Sequence, residues 1–201
     1  NTEVMPGLGV TYQFIPAVQL YASVYKAFSP ALNGDSLSGM KDQKLEAETA
    51  VSWELGLRGQ QDAVRYELTA FRMDFDNQII PANSNSDFQS TNGGKTYNQG
   101  LEGAVSLEFE NGFDVFANLT WIANAEFKGD RYNKNGSLKS KDGDRVPYTP
   151  EWVANLGVGY TYAGLRTQLS ANYTGSQFTD ELNTKPIVEN TSGFFTGKIN
   201  G

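Results

Sequence analysis

The feature that most restricts the fold is an alternation of apolar and polar residues with a period of two, repeated in segment after segment. From Leu101 the odd positions Leu101, Gly103, Val105, Leu107 and Phe109 oppose the even Glu102, Ala104, Ser106 and Glu108. The same period runs through Val51, Trp53, Leu55 and Leu57 against Ser52, Glu54, Gly56 and Arg58, and through Leu165, Leu169, Ala171 and Tyr173 against Arg166, Gln168, Ser170 and Asn172. A strand sends such residues to two faces, one greasy and one polar, whereas a helix would scatter them around its circumference. Leu8 to Phe14, Val18 to Phe28, Val64 to Phe75, Phe113 to Ala125 and Trp152 to Tyr162 read alike, giving eight expected strands with the last over Leu165 to Phe178, and no helix. Most are close to the ~10 residues that cross a bilayer at a tilt.

The connections alternate between short and long. Short ones lie at Ile15-Pro16-Ala17, Gly59 to Asp62, Glu110-Asn111-Gly112 and Ala163-Gly164; long ones, rich in Asn, Gly, Ser, Asp and Lys, run over Ser29 to Glu48, Asn77 to Asn98 and Lys128 to Pro150. Asn111-Gly112 is expected to form a two-residue hairpin turn, since both residue types tolerate positive φ. A soluble sandwich has no reason to gather its long loops at one end; an outer-membrane barrel has short turns on one side and long loops on the other. Aromatic residues fall in two groups, Phe14, Tyr66, Phe109, Phe113, Tyr160 and Tyr162 toward the short turns and Phe28, Phe75, Trp121, Trp152 and Phe178 toward the long loops. They read as two interfacial girdles. The fold class is therefore all-β, an antiparallel transmembrane β-barrel, with Val51, Trp53, Leu55, Leu57, Leu101, Val105, Leu107, Leu156, Val158, Leu165 and Leu169 facing lipid and Leu107 taken as mid-strand. The closing stretch Phe194 to Gly201 reads as loop where another strand should begin. Residues 1–201 are thus expected to be a partial barrel domain, with open sheet edges at Leu8 to Phe14 and Leu165 to Phe178.

Composition removes most enzyme chemistry. There is no His and no Cys, which excludes thiolate nucleophiles, the usual zinc sites and Ser-His-Asp arrangements. Lys and Arg number 16 and Asp and Glu 23, a net charge of −7 unsuited to gripping nucleic-acid phosphates. No apolar run approaches the roughly 18 residues of a membrane helix. The acid pairs Asp74 with Asp76 and Glu46 with Glu48 sit at loop borders, without the cleft that glycoside hydrolysis requires. The sequons at Asn118 and Asn172 fall inside strands and are read as chance. No catalytic residue, metal site or cofactor is expected.

Several stretches carry a family likeness. Val18 to Ser23, Trp53-Glu54-Leu55-Gly56-Leu57-Arg58, Gly100-Leu101-Glu102-Gly103 and Arg145-Val146-Pro147-Tyr148-Thr149-Pro150-Glu151-Trp152 resemble successive strand landmarks of TonB-dependent outer-membrane receptors. Within that family, Phe75-Asp76-Asn77-Gln78, Gly94-Lys95-Thr96, Ser176 to Asp180 with Asn183-Thr184, and Thr196 to Ile199 are similar to the ferric-dicitrate branch. The resemblance implies a 22-stranded barrel in a Gram-negative outer membrane, filled by an N-terminal plug and importing a ferric chelate, iron citrate or something like it, with energy delivered through TonB. This chain would supply about eight strands from its latter half, the plug, the TonB-binding segment and the last strands having no counterpart here. The resemblance places a carboxamide that touches the chelate at Asn83 or Asn85, where the family has Gln. A carboxamide can donate to a citrate carboxylate without adding charge.

Lumen-side Glu54, Arg58, Arg65, Glu67, Glu102 and Glu108 suit contact with a plug or simple hydration of a polar interior. The segment Lys128 to Tyr148 holds six cations, Lys128, Arg131, Lys134, Lys139, Lys141 and Arg145, against Asp130, Asp142 and Asp144. Such a loop could steer an anionic chelate, pair with lipopolysaccharide phosphates at the outer-membrane lipid surface, or simply be solvated. The rival functions are a small autonomous barrel with a structural or adhesive role, and a receptor of the same family for another siderophore, cobalamin or a glycan.

Overall fold

A computed structural model describes residues 3–30, 46–81, 91–133 and 135–199, the last six as backbone alone. Within them every helix or strand is a strand: β1 Gly7–Ile15, β2 Val18–Ser29, β3 Glu48–Gln61, β4 Val64–Asp76, β5 Ile79–Ile80, β6 Thr91–Asn92, β7 Thr96–Glu108, β8 Phe113–Phe127, β9 Arg131–Tyr132, β10 Leu138–Ser140, β11 Trp152–Tyr162, β12 Leu165–Thr174, β13 Gln177–Phe178, β14 Pro186–Ile187 and β15 Asn190–Ile199. Nine long strands form one antiparallel sheet in the order β1-β2-β3-β4-β7-β8-β11-β12-β15. The six short strands pair as three small hairpins, β5 with β6, β9 with β10 and β13 with β14. The sheet is open, since β1 and β15 do not pair with each other.

Each long strand pairs with its sequence neighbour among the long strands, and the register lines like with like. Leu55 sits between Ala22 and Ala70, Leu101 between Ala70 and Trp121, Leu156 between Ala117 and Ala171. Because a one-residue slip would turn every side chain to the other face, this matching of alternation fixes the register across the whole sheet.

Four expectations are corrected. The sheet has nine long strands rather than eight, because Asn190–Ile199 pairs along all of β12, which ends at Thr174 and not Phe178. That last strand is cryptic because Gly193 and Gly197 occupy the positions opposite Ala171 and Thr167, and the apolar alternation is interrupted there. Leu107 is not mid-strand but the penultimate residue of β7. Of the expected girdle, Phe75 lies on the polar face, opposite Thr96, and Phe178 lies in the small β13–β14 hairpin. The turn at Asn111-Gly112 is not of the two-residue type: only Gly112 has positive φ, at 90°, and its N–H closes on Phe109 O at 3.1 Å. This is a longer turn ending in a left-handed glycine, and a Cβ at Gly112 would run into the Thr161 carbonyl. Two-residue connections stand instead at Pro16-Ala17, Asp62-Ala63 and Ala163-Gly164, the last with φ of 48° and 82°.

Candidate functional site

The greasy face carries two aromatic rows. At the long-loop end Trp121 and Trp152 stack with centroids 5.7 Å apart, and Trp121 donates its indole N–H to Glu151 at 3.2 Å. At the short-turn end Phe113 packs on Tyr160 at 4.4 Å and Tyr160 on Tyr162 at 6.3 Å. Trp152 pairs with Trp121 and Tyr160 with Phe113, eight residues apart along β11. At about 3.3 Å per residue and a tilt near 40°, this spans about 20 Å of bilayer depth, close to the ~25 Å apolar band of outer-membrane barrels. Between the rows Leu55, Leu68, Leu119, Leu156 and Leu169 are exposed.

The opposite face is polar and hydrogen-bonded across strands. Glu54 accepts from Ser23 Oγ at 3.1 Å and Tyr25 OH at 3.0 Å, Tyr21 donates to Glu67 at 2.8 Å, and Arg58 donates to Gln19 at 2.9 Å while lying over the Tyr21 ring. Nearer the short turns Arg65 pairs with Glu108 at 2.9 Å and Arg166 with Asp114 at 2.8 Å. All six charged residues expected toward a lumen lie here. A recess of about 430 Å³ runs past Tyr21, Glu54, Arg58, Glu67, Thr69 and Glu102. Strands with one lipid face and one such face enclose a wet interior or an inserted polar domain.

At the long-loop end the described parts of three connections, 77–81 with 91–95, 128–133 with 135–151, and 175–189, bend toward this polar side. Ile80, Ala125, Phe127 and Val146 form a buried cluster with Ile122 against it. Ile122 and Phe127 pair with Gly100 and Thr96, positions of the polar face, so the cluster seats the loops on the inner side of the wall top. Beside it Glu181, 2% exposed, pairs with Arg131 at 3.2 Å and lies 3.9 Å from Lys139. Burial lowers the pKa of Arg131 and of Lys139, and the Glu181 charge opposes that shift in both. Burial also lowers that of Arg145, whose guanidinium donates to Thr149 O at 2.8 Å and Ile122 O at 2.9 Å.

The cations of the basic loop are therefore largely committed. Lys128 pairs with Asp74, Arg131 and Lys139 face Glu181, and Arg145 binds backbone. The carboxylate pairs are committed as well: Arg72 holds Asp74 at 2.9 Å, while Glu46 and Glu48 accept from Asn77 Nδ2 at 2.9 Å and Ile79 N–H at 2.7 Å. Asn83 and Asn85 lie outside the described residues. Sequence reasoning missed Glu181, whose partners are 42 to 90 positions away and leave no periodic signal.

A two-faced sheet of this kind is shared by many barrels, and the family is decided by a further match: residues 1–197 fit the model of the TonB-dependent receptor-like β-barrel. The chain belongs to that family. Members of the TonB-dependent receptor family reside in the outer membrane of Gram-negative bacteria, so the short turns face the periplasm and the long loops the exterior. Two ferric enterobactin receptors of Pseudomonas aeruginosa are each 28% identical to it, over 148 and 211 residues, covering 68% and 83% of this chain. The chain spans only 18% and 28% of their lengths. Among solved structures, the ferric yersiniabactin uptake receptor FyuA of Yersinia pestis superposes with a TM-score of 0.72 at 21% identity, over 96% of this chain and 29% of that one. The unliganded ferric citrate transporter FecA gives 0.67 at 24%, over 96% and 30%. The copper transporter OprC gives 0.66 at 13%, over 98% and 31%. These likenesses describe the wall fold of a TonB-dependent receptor.

Proposed function

We propose that this chain is part of the barrel wall of a transport receptor that imports a ferric chelate across the outer membrane, with a plug inside the barrel and TonB as the source of energy. The observation that carries the reading is the pairing of a lipid face with a hydrogen-bonded polar face under inward-folded loops, in a chain of this family. Such a wall offers binding and passage rather than catalysis. Glu54, Arg58, Glu67 and Glu102 are then the wall's contribution to the plug contact, and the outward aromatic rows meet outer-membrane lipid and lipopolysaccharide.

The finer reading is a cargo of the ferric-citrate type, with Asn83 and Asn85 donating to citrate carboxylates. It is supported by the ferric-dicitrate-like motifs, of which Gly94-Lys95-Thr96 enters β7 from the long-loop end and Asn183-Thr184 lies in the connection between β13 and β14. A ferric-catecholate cargo is the second reading, supported by the two enterobactin receptors among the relatives. Cells that have the full-length receptor as their sole ferric-chelate receptor are given radioactive iron as citrate or as enterobactin. Receptor-dependent uptake from citrate supports the first reading, uptake from enterobactin alone replaces it with the second, and uptake of neither overturns the ferric-chelate assignment. With citrate as cargo, Asn83→Ala with Asn85→Ala should weaken binding by about 0.5–1.5 kcal/mol.

A further inference from the structure

Glu181 stands where three external connections meet. It lies between β13 and β14 and is among the few buried charged residues described. One carboxylate oxygen accepts from Thr91 Oγ1 of β6 at 3.3 Å and lies 3.9 Å from Lys139 Nζ of β10; the other receives Arg131 Nη1 of β9 at 3.2 Å. Arg131 also reaches back to the carbonyl of Asn92 in β6. A single side chain thus bonds to both other small hairpins.

The surrounding contacts repeat this pattern. The β8–β11 connection is tied to the β12–β15 connection by Tyr148 N–H to Phe178 O at 2.8 Å, Arg145 N–H to Asn183 Oδ1 at 2.6 Å and Asn183 Nδ2 to Arg145 O at 2.8 Å. It is tied to the β4–β7 connection by Lys128 N–H to Lys95 O at 2.8 Å. Hairpins with two or three residues per strand are too short to be stable alone. Their order comes from one another and from the Phe127 cluster below.

We propose that Glu181 is the keystone of a roof in which the described parts of these three external connections, the small hairpins and the residues that tie them together, fold and open as one cooperative unit over the inner side of the wall. Removing a buried carboxylate leaves two desolvated cations facing each other without compensation, which drives the hairpins apart. Cargo moving past this side of the mouth then meets a single jointed flap rather than three independent loops. The proposal does not depend on which chelate is carried.

Hydrogen exchange read by mass spectrometry on the full-length receptor in membrane tests it. In Glu181→Ala, protection should fall tenfold or more at 91–95, 131–140 and 177–187 together, with β7, β8, β11 and β12 unchanged. Asp142→Ala, which removes only the bond from Gly129 N–H to Asp142 Oδ1 inside the β8–β11 connection, should not loosen the other two. If Glu181→Ala fails to insert, Arg131→Met is measured the same way and should produce the same three-way loss. A loss confined to 177–187, or no loss, overturns the keystone role and leaves Glu181 a local turn residue.

Discussion

Arginine placed at Leu156 measures directly whether the greasy face meets lipid. Leu156 is 53% exposed and lies four residues from both Trp152 and Tyr160, midway between the two aromatic rows. Four residues at about 3.3 Å, tilted near 40°, put it ~10 Å below each interface, too deep for a guanidinium to reach water without strain. Arginine at the midplane of such a wall costs about 2–4 kcal/mol, falling to ~0–1 kcal/mol near the interface. Leu107 supplies the comparison, because it is one residue from the end of β7 and its row lies nearer the short turns. Leu156→Arg should therefore shift the folding equilibrium roughly 30-fold to 1,000-fold, and Leu107→Arg less than about tenfold. The assay is urea titration of the full-length receptor in phosphatidylcholine vesicles, followed by tryptophan fluorescence. Equal costs at the two positions, or costs under 1 kcal/mol at both, would refute the placement of this face in the bilayer.

Other perturbations probe the turns, the bulge and the loops. Ala163 holds φ at 48° in the β11–β12 turn, so Ala163→Gly should stabilise the receptor by about 0.5–1 kcal/mol in the same titration. Gly100 sits at the register shift between β7 and β8, where a Cβ would meet the Trp121 carbonyl; Gly100→Ala should destabilise by about 1–3 kcal/mol. Burial acts to raise the Asp180 carboxyl, but the Thr184 hydroxyl and the N–H groups of Thr184, Lys185 and Leu182 outweigh it and hold the pKa below its ordinary value. Its stabilisation is thus complete above the ordinary value and lost as pH falls through the depressed one. Exchange protection at 177–187 should drop below about pH 4 in the wild type, and Asp180→Asn should remove that pH dependence.

How much could be read from the chain followed from how local the physics was. Trp53, Leu55, Leu101 and Leu156 announce their face because lipid on one side and water on the other impose the same alternation on every strand. The strand Asn190–Ile199 escaped because its glycines erase that alternation, and its pairing with β12 is a property of two segments rather than one. Phe75 was assigned to the wrong face because aromatic residues also cap the inside of the wall top, where Phe127 and Thr96 lie. The basic loop was legible as composition but not as use. Its charges are spent on Asp74 of β4 and Glu181 of the β12–β15 connection, partners distant in sequence.

The same division explains why wall likeness does not choose a cargo. Walls of a ferric citrate transporter and of a copper transporter superpose on this sheet with TM-scores of 0.67 and 0.66, although the identities are 24% and 13%. Lipid dictates one face and the need for a hydrated, hydrogen-bonded surface dictates the other, so neither face is free to encode a chelate. What remains free is the set of connections above the long-loop end. There the small Phe127 cluster and the Glu181 ion pairs hold the loops against the wall, and on the proposed function the side chains those loops present are what distinguish a carboxylate chelate from a catecholate one. On the proposed transport function, specificity on this side of the barrel then rests on a few inter-loop bonds outside the bilayer, where they can change without disturbing the strands below.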